Sequence, residues 1–299
     1  MAENNLDWVP PGVDTRLANV ARVYDYLLGG SHNFLADQDV ARSLAAIEPE
    51  IRAIAWANRR FLGRAVRFLS QAGIRQFLDI GSGIPTEGNV HEIAQGADPA
   101  AKVVYVDVDQ VAIAHSRAIL AGSPGATVIE ADVRDPDKIL THGQTRRFLD
   151  LTQPTGLLLV SVLHYVDDAD DPWHVLERLR EALAPGSYLV ICHGTSDERP
   201  EVMQAVGKVF NRSVTTQSHV RSRPEILRFF GDFELVEPGL VHMPLWRPGS
   251  PAEVPADPAR YWCLAGVARK PLGPRPARTL RPGMHVRACM SRHHVPASG

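Results

Sequence analysis

The sequence predicts an α/β protein: a mostly parallel sheet covered by helices on both faces, with an antiparallel last strand and a helical N-terminal extension. Three observations carry this. From about residue 76 to 230, short strand-like runs alternate with helical ones. Most of those runs are apolar at successive positions, as strands buried on both faces must be. The last two runs, "FELVEPGLVHM" (233–243) and "YWCLAGVARK" (261–270), have only a Pro-rich loop between them, which suits an antiparallel hairpin.

The elements follow in order. Residues 1–15 read as extended, because Pro10-Pro11 cannot sit inside a helix. In "TRLANVARVYDYLLGG", apolar residues recur at helical spacing from Thr15 to Leu28, and Gly29-Gly30 ends the run. A second short helix is expected over 37–48. A third covers about 50–72, with Gly73 as its stop. Residues 1–73 thus form a helical extension. Strand "QFLDIG" then leads to a helix near 86–95, "KVVYVDVD" to "QVAIAHSRAILAG", and "TVIEADVRD" to a short "PDKIL" helix. "GLLLVSVLHYV" leads to "DPWHVLERLREALAPG", and "SYLVICHG" to "PEVMQAVGKVF" and "RPEILRFF". The α/β domain so defined spans 74–270. Residues 271–299 hold Pro and Arg, no acidic residue and no periodicity, and read as a disordered basic tail.

Composition narrows the function. The chain has 299 residues, 44% apolar and 22% charged, which is ordinary for a globular enzyme. A net charge of -2 offers no basic field for nucleic acid or an anionic membrane. The N-terminus lacks a signal peptide, and the longest apolar run, "GLLLVSVL", is too short to span a bilayer. Three separated cysteines, Cys192, Cys263 and Cys289, form no metal or redox pair. The expectation is a cytoplasmic protein.

Ligands of open parallel sheets bind at the carboxyl ends of the strands. There the first strand ends in Asp79-Ile80-Gly81-Ser82-Gly83. The third glycine of the dinucleotide fingerprint falls on Thr86, and Pro85-Thr86 would crowd a pyrophosphate. The second strand ends in Asp107, 26 positions after Gly81, where a carboxylate can accept both hydroxyls of a ribose. The third ends in Asp132, where a carboxylate can accept from an adenine amino group. Asp109 and Asp135 read instead as helix caps. Asp79 would repel a pyrophosphate and attract an ammonium group. Adenosine, an ammonium group and no phosphate describe S-adenosylmethionine.

"FLDIGSGIPT", "VVYVDVD", "EADVRD", "LLLVSVLHYVDD" and "LREALAPGSYLVICHG" resemble the successive motifs of class I S-adenosylmethionine-dependent methyltransferases. "ARVYDYLLGGSHNF" and "ANRRFLGRAVRFL" resemble the actinobacterial S-adenosyl methyltransferase family, formerly a domain of unknown function. The resemblance covers about residues 15–270. It implies a Rossmann-like, seven-stranded sheet with its last strand inserted antiparallel. It gives Asp79, Gly81, Ser82 and Gly83 to the methionine end of the cofactor, Asp107 to the ribose, and Asp132 with Val133 to the adenine, with Val108 a further cofactor-binding residue. Val160 and Ser161 would line the cofactor at the end of the fourth strand. Two positions depart from the wider class: Pro85 stands where many relatives have glycine, and Gly156 where many have an acid.

The acceptor side is less marked. Methyl transfer requires alignment first, and a base only when the nucleophile arrives protonated. His193 and His164 are the candidate bases; Tyr165 is a further polar candidate, and Cys192 reads as a core thiol. Arg22, Tyr24, Tyr26, His32 and Asn33 surround Gly29-Gly30 and suggest a lid with the glycines as hinge or close-contact turn. Arg59 could meet the methionine carboxylate. The aspartates of "YVDDADDP" read as a solvated loop, so no metal is expected. The expected activity is methyl transfer from S-adenosylmethionine to a small-molecule acceptor, without nucleic-acid or membrane partner. An S-adenosylmethionine-binding sensor or partner subunit is the alternative, because the acceptor half carries no clear motif. An NAD-dependent oxidoreductase lacks the third glycine and any Tyr-x-x-x-Lys.

Overall fold

The structure, a computed structural model, describes residues 9–85, 88–214 and 217–273. Most of the predicted tail, from 274 on, lies outside the described residues, as do Thr86 and Glu87 of the glycine loop.

Three helices come first: α1 (Val20–Leu28), α2 (Leu35–Ile47) and α3 (Ile51–Gln71). The first begins later than its periodicity predicts, because Asn19 caps it, accepting the N–H of Ala21 at 2.7 Å. Gly29 ends it in the left-handed conformation, φ +87°. Alternation follows: β1 (Gln76–Ile80), α4 (Val90–Ala97), β2 (Lys102–Asp107), α5 (Gln110–Leu120), β3 (Ala126–Glu130), α6 (Pro136–Thr141) and α7 (Gly143–Phe148). Then come β4 (Gly156–Val160), α8 (Pro172–Glu181), β5 (Tyr188–Gly194), α9 (Pro200–Ser213) and α10 (Arg223–Arg228). The chain closes with β6 (Glu234–Leu235), β7 (Val241–His242) and β8 (Cys263–Arg269).

The strand order is β3-β2-β1-β4-β5-β8-β6, with β7 also on β8. Strands β1 to β5 pair in parallel, and β8 is antiparallel to β5, as the missing crossover helix predicts. Strand β5 fills one edge of β8. Strands β6 and β7 share the other, at Arg269/Ala268 and at Ala265/Leu264. They are two pieces of one edge strand, interrupted at 236–240, where Pro238 cannot donate to a ladder. The sheet is therefore seven positions wide.

Successive strand residues face opposite cores. Phe77, Val103, Leu158 and Val190 pack with Phe61 and Leu69 of α3 on one face. Leu78, Val104, Leu157 and Leu189 pack with Leu176 of α8 and Phe229 on the other. The first face includes Val23, Leu27 and Leu44, so the N-terminal helices share the core of the sheet.

Candidate functional site

All the parallel strands end at one edge, and the loops there border a cavity of about 510 Å³. The loop after β1 is shaped by its glycines. Gly81 has φ +72°, and a Cβ there would lie 2.4 Å from Cγ2 of Val162, so only glycine lets the loops after β1 and β4 meet. Its N–H donates to Val106 O at 2.8 Å. Gly83, φ +67°, donates its N–H to Oδ2 of Asp107 at 2.7 Å. Oδ1 of Asp107 accepts the N–H groups of Val108 at 2.8 Å and Asp109 at 2.9 Å. Each carboxylate oxygen has two acceptor sites, so Oδ2, with one N–H bound, keeps acceptor capacity on a residue that lines the cavity. Burial raises the Asp107 carboxyl above its ordinary range. Oγ of Ser82 is buried on the cavity wall and has no hydrogen-bond partner among the described residues. An orphaned hydroxyl there marks a place for a bound polar group.

At the end of β4, Ser161 holds φ +61°. A non-glycine residue in that region is disfavoured and persists where its surroundings impose it. Its N–H donates to Cys192 O at 2.9 Å, which fixes the strand end against β5.

Asp79 is buried beneath this loop. Burial pushes its carboxyl up to about 7; the charge of Arg59 opposes the shift and Asp107 adds to it. Arg59 comes from α3 and Tyr24 from α1, so the N-terminal helices deliver a cation and a phenol to the strand ends. The Tyr24 hydroxyl donates to Ala55 O at 3.0 Å and accepts from Nδ2 of Asn58 at 2.9 Å. Burial raises it to about 12, so it stays protonated.

The adenine side differs in detail. Asp132 and Val133 both line the cavity, and Arg134 holds the Asp132 carboxylate, donating its backbone N–H at 2.9 Å and Nη2 at 2.6 Å. Asp132 thus also shapes the turn, which its place inside the strand end does not suggest. Val108 lines the rim and is largely exposed. Asp109 and Asp135 cap α5 and α6 as expected, accepting from Ala112 at 2.8 Å and Lys138 at 3.0 Å.

The two candidate bases part company. His193 is fully buried and does not border the cavity. Its Nδ1 lies 2.7 Å from Gly194 O and its Nε2 2.9 Å from Nη1 of Arg221, which makes it a neutral histidine with hydrogen on Nδ1. That bonding corrects the expectation of a catalytic His193, because no ring nitrogen faces a substrate. His164 does border the cavity, with its Nδ1 unpartnered among the described residues. Burial and the nearby Arg221 lower it to about 3, so it is neutral and weakly basic.

The glycine pair forms a close-contact turn. A Cβ on Gly30 would fall 2.1 Å from the Asp25 carboxylate, which accepts the His32 N–H at 2.9 Å and Asn33 Nδ2 at 2.8 Å. The "YVDDADDP" aspartates make structural contacts, and Asp167 and Asp170 also line the cavity. Asp167 and Asp171 accept from Ala169 and His174, Asp168 pairs with Arg221 at 2.7 Å, and Asp170 meets Arg134 at 3.5 Å. Among the described residues no cluster of His, Cys, Asp or Glu could hold a metal, and no helix is long and apolar enough to cross a membrane.

Sequence reasoning missed Arg221, Asn58 and Glu48. Arg221 is buried, and its guanidinium bonds Leu163 O at 2.9 Å and Val166 O at 2.7 Å, bracing the loop that carries His164. Glu48, wholly buried, pairs with Arg199 and, at 3.6 Å, with Arg260. Charged residues in short polar stretches carry no periodic signal of burial. Asn58 had one: it falls on the apolar face of α3, next to Phe61 and Leu62.

A family model described as S-adenosyl methyltransferase matches residues 7–271. The crystal structure of a candidate methyltransferase from Thermobifida fusca is similar at 44% identity and TM-score 0.83, over 88% of this chain and 99% of that one. That of a DUF574-family protein from Streptomyces avermitilis is similar at 38% identity and TM-score 0.83, over 86% and 99%. No curated protein matches. The chain belongs to the S-adenosyl methyltransferase family.

Proposed function

From that membership, we propose that the cavity holds S-adenosylmethionine against the strand ends and a small-molecule methyl acceptor beside it. The family and its fold make the protein an S-adenosylmethionine-dependent methyltransferase. The assignment of residues is our reading of the geometry. When bound, S-adenosylmethionine supplies a sulfonium-activated methyl group that a nucleophile can displace.

One observation carries the orientation: the buried Asp79 carboxyl lies within electrostatic reach of the Arg59 guanidinium, beneath the Gly81–Gly83 loop. An acid beside a guanidinium suits the two charged groups of an α-amino acid. Asp79 would take the ammonium and Arg59 the carboxylate, with Ser82 Oγ free to bond either. Asp107 Oδ2 would accept a ribose hydroxyl, and Ala131 to Val133 would flank the adenine. The residues present therefore fit the cofactor. Arg134 competes for Asp132, so adenine selection would rest on apolar contact with Val133 and backbone groups.

The helices α1 to α3 would act as roof and lid, because α1 and α3 supply Tyr24 and Arg59 to the cavity wall. Acceleration would come from alignment in a dry site. A histidine near 3 takes little proton from a hydroxyl, so His164 would position the acceptor rather than deprotonate it.

The test separates the two ends of the cofactor. S-adenosylhomocysteine carries the amino acid and 5′-methylthioadenosine does not. Arg59→Ala and Asp79→Asn should weaken S-adenosylhomocysteine ~10-fold or more, the worth of a charged hydrogen bond, and leave methylthioadenosine within ~2-fold. Asp107→Ala should weaken both. Equal losses for both ligands in Arg59→Ala would overturn the assignment.

A further inference from the structure

Deepening the methyltransferase reading on which it rests, we propose that the methyl acceptor is an uncharged, largely apolar small molecule that donates a hydrogen bond, from a hydroxyl or N–H, to Oδ1 of Asn58. The same cavity is also walled by α1, α3 and α9, opposite the polar loops that carry Asp167, Asp170 and His219. Of the side chains that α1, α2, α3, α9 and the start of β8 add to the wall, Arg59 alone is charged. The rest are mainly aliphatic or aromatic, among them Leu27, Leu44, Ile54, Met203, Val206 and Phe210. An unpaired charge placed there would lose its hydration without compensation. An apolar body would gain ~25 cal/mol for each Å² removed from water.

Asn58 sets the polar requirement. It is 6% exposed, lines the cavity, and its Oδ1 has no hydrogen-bond partner among the described residues. The amide orientation follows from its neighbour. The Tyr24 hydroxyl spends its single hydrogen on Ala55 O, so toward Asn58 it can only accept. That places Nδ2 on Tyr24 and leaves Oδ1 as a bare acceptor. A bound molecule with a donor satisfies it, and one without leaves a buried acceptor unpaired, worth ~10-fold in affinity. Tyr24, which stays protonated, and Ala55 lock the amide in place.

Gly207 of α9 offers an independent handle. It lines the cavity, and a Cβ there would meet no atom within 4 Å. Gly207→Leu therefore adds bulk to the cavity without a backbone clash, and leucine suits a helix better than glycine.

The test uses the full chain saturated with S-adenosylhomocysteine and titrated at neutral pH with 2-naphthol, naphthalene and 2-naphthoate. Naphthol should bind best, naphthalene ~10-fold more weakly, and the anion more weakly still. Asn58→Leu should bring naphthol and naphthalene within ~2-fold, because the orphan acceptor is gone. Gly207→Leu should abolish binding of all three and keep S-adenosylhomocysteine. Naphthoate binding as tightly as naphthol would overturn the inference. So would failure of both neutral probes, or a loss of S-adenosylhomocysteine in Asn58→Leu with the probe ratio unchanged. If S-adenosylhomocysteine itself does not bind the wild type, the methyltransferase site fails. If it binds and the probe order reverses, only the acceptor inference fails.

Discussion

The backbone N–H of Gly83 donates to the Asp107 carboxylate at 2.7 Å. One side chain thus closes the loop after β1 and borders the cavity. Asp107→Ala deprives three N–H groups of their acceptor, those of Gly83, Val108 and Asp109. It should cost ~1–3 kcal/mol of stability, read by urea unfolding, and weaken S-adenosylhomocysteine more than any single change at the amino-acid end. Unchanged affinity would separate the loop from the ligand.

Asp79 predicts two opposite pH dependences. Its carboxyl rises from 3.8 to about 7 in the folded protein, chiefly through burial. Between those values the folded chain holds a proton that the unfolded chain has released. The stability contribution is complete below 3.8, declines as pH rises through the window, and is gone above about 7. Cofactor affinity should run the other way, since an ammonium group selects the ionised acid: it should climb from pH 5 to 7 and then level. Asp79→Asn should flatten both curves. Chemical denaturation and calorimetry across that range check the pair.

Glu48 joins the N-terminal helices to the far side of the cavity. It follows α2, and its buried carboxylate meets Arg199 before α9 and Arg260 before β8. Glu48→Ala leaves two half-exposed arginines facing a hole, so a loss of ~1–3 kcal/mol is expected, below that of a fully buried pair. Because α9 forms one wall, proteolysis near Arg199 should also quicken. No change in either would show that the contact contributes little.

His193 should behave as a structural residue. His193→Leu removes the acceptor of Arg221 Nη1 and should lower stability by ~1–3 kcal/mol while leaving S-adenosylhomocysteine affinity of the folded protein within ~2-fold. A selective loss of turnover with stability intact would restore it as a catalytic candidate.

The sheet was legible because buried parallel strands announce themselves as apolar runs, and the missing helix before 261–270 revealed the antiparallel strand. Caps were legible where Asp meets a helix start, as at Asp109 and Asp135. The interrupted edge strand was not, because two-residue pieces such as Glu234–Leu235 have no period to detect. Gly81, Asp107 and Asp132 all lie at strand ends on the cavity wall, where the sequence puts them. That Arg134, two positions on, pairs with the Asp132 carboxylate is shown by no pattern in the sequence. His193 misled: a histidine at the end of a strand can face the rim or the core, and buried Arg221, 28 positions later, decides which.

Calorimetric titration of the purified chain with S-adenosylhomocysteine, and separately with NAD, decides whether the cavity takes the methyltransferase cofactor through Asp79, Arg59 and Asp107. One site for S-adenosylhomocysteine is expected, with proton release on binding below pH 7 that disappears in Asp79→Asn, and no heat with NAD. Absence of S-adenosylhomocysteine binding, or binding of NAD at the same site, would rule this assignment out.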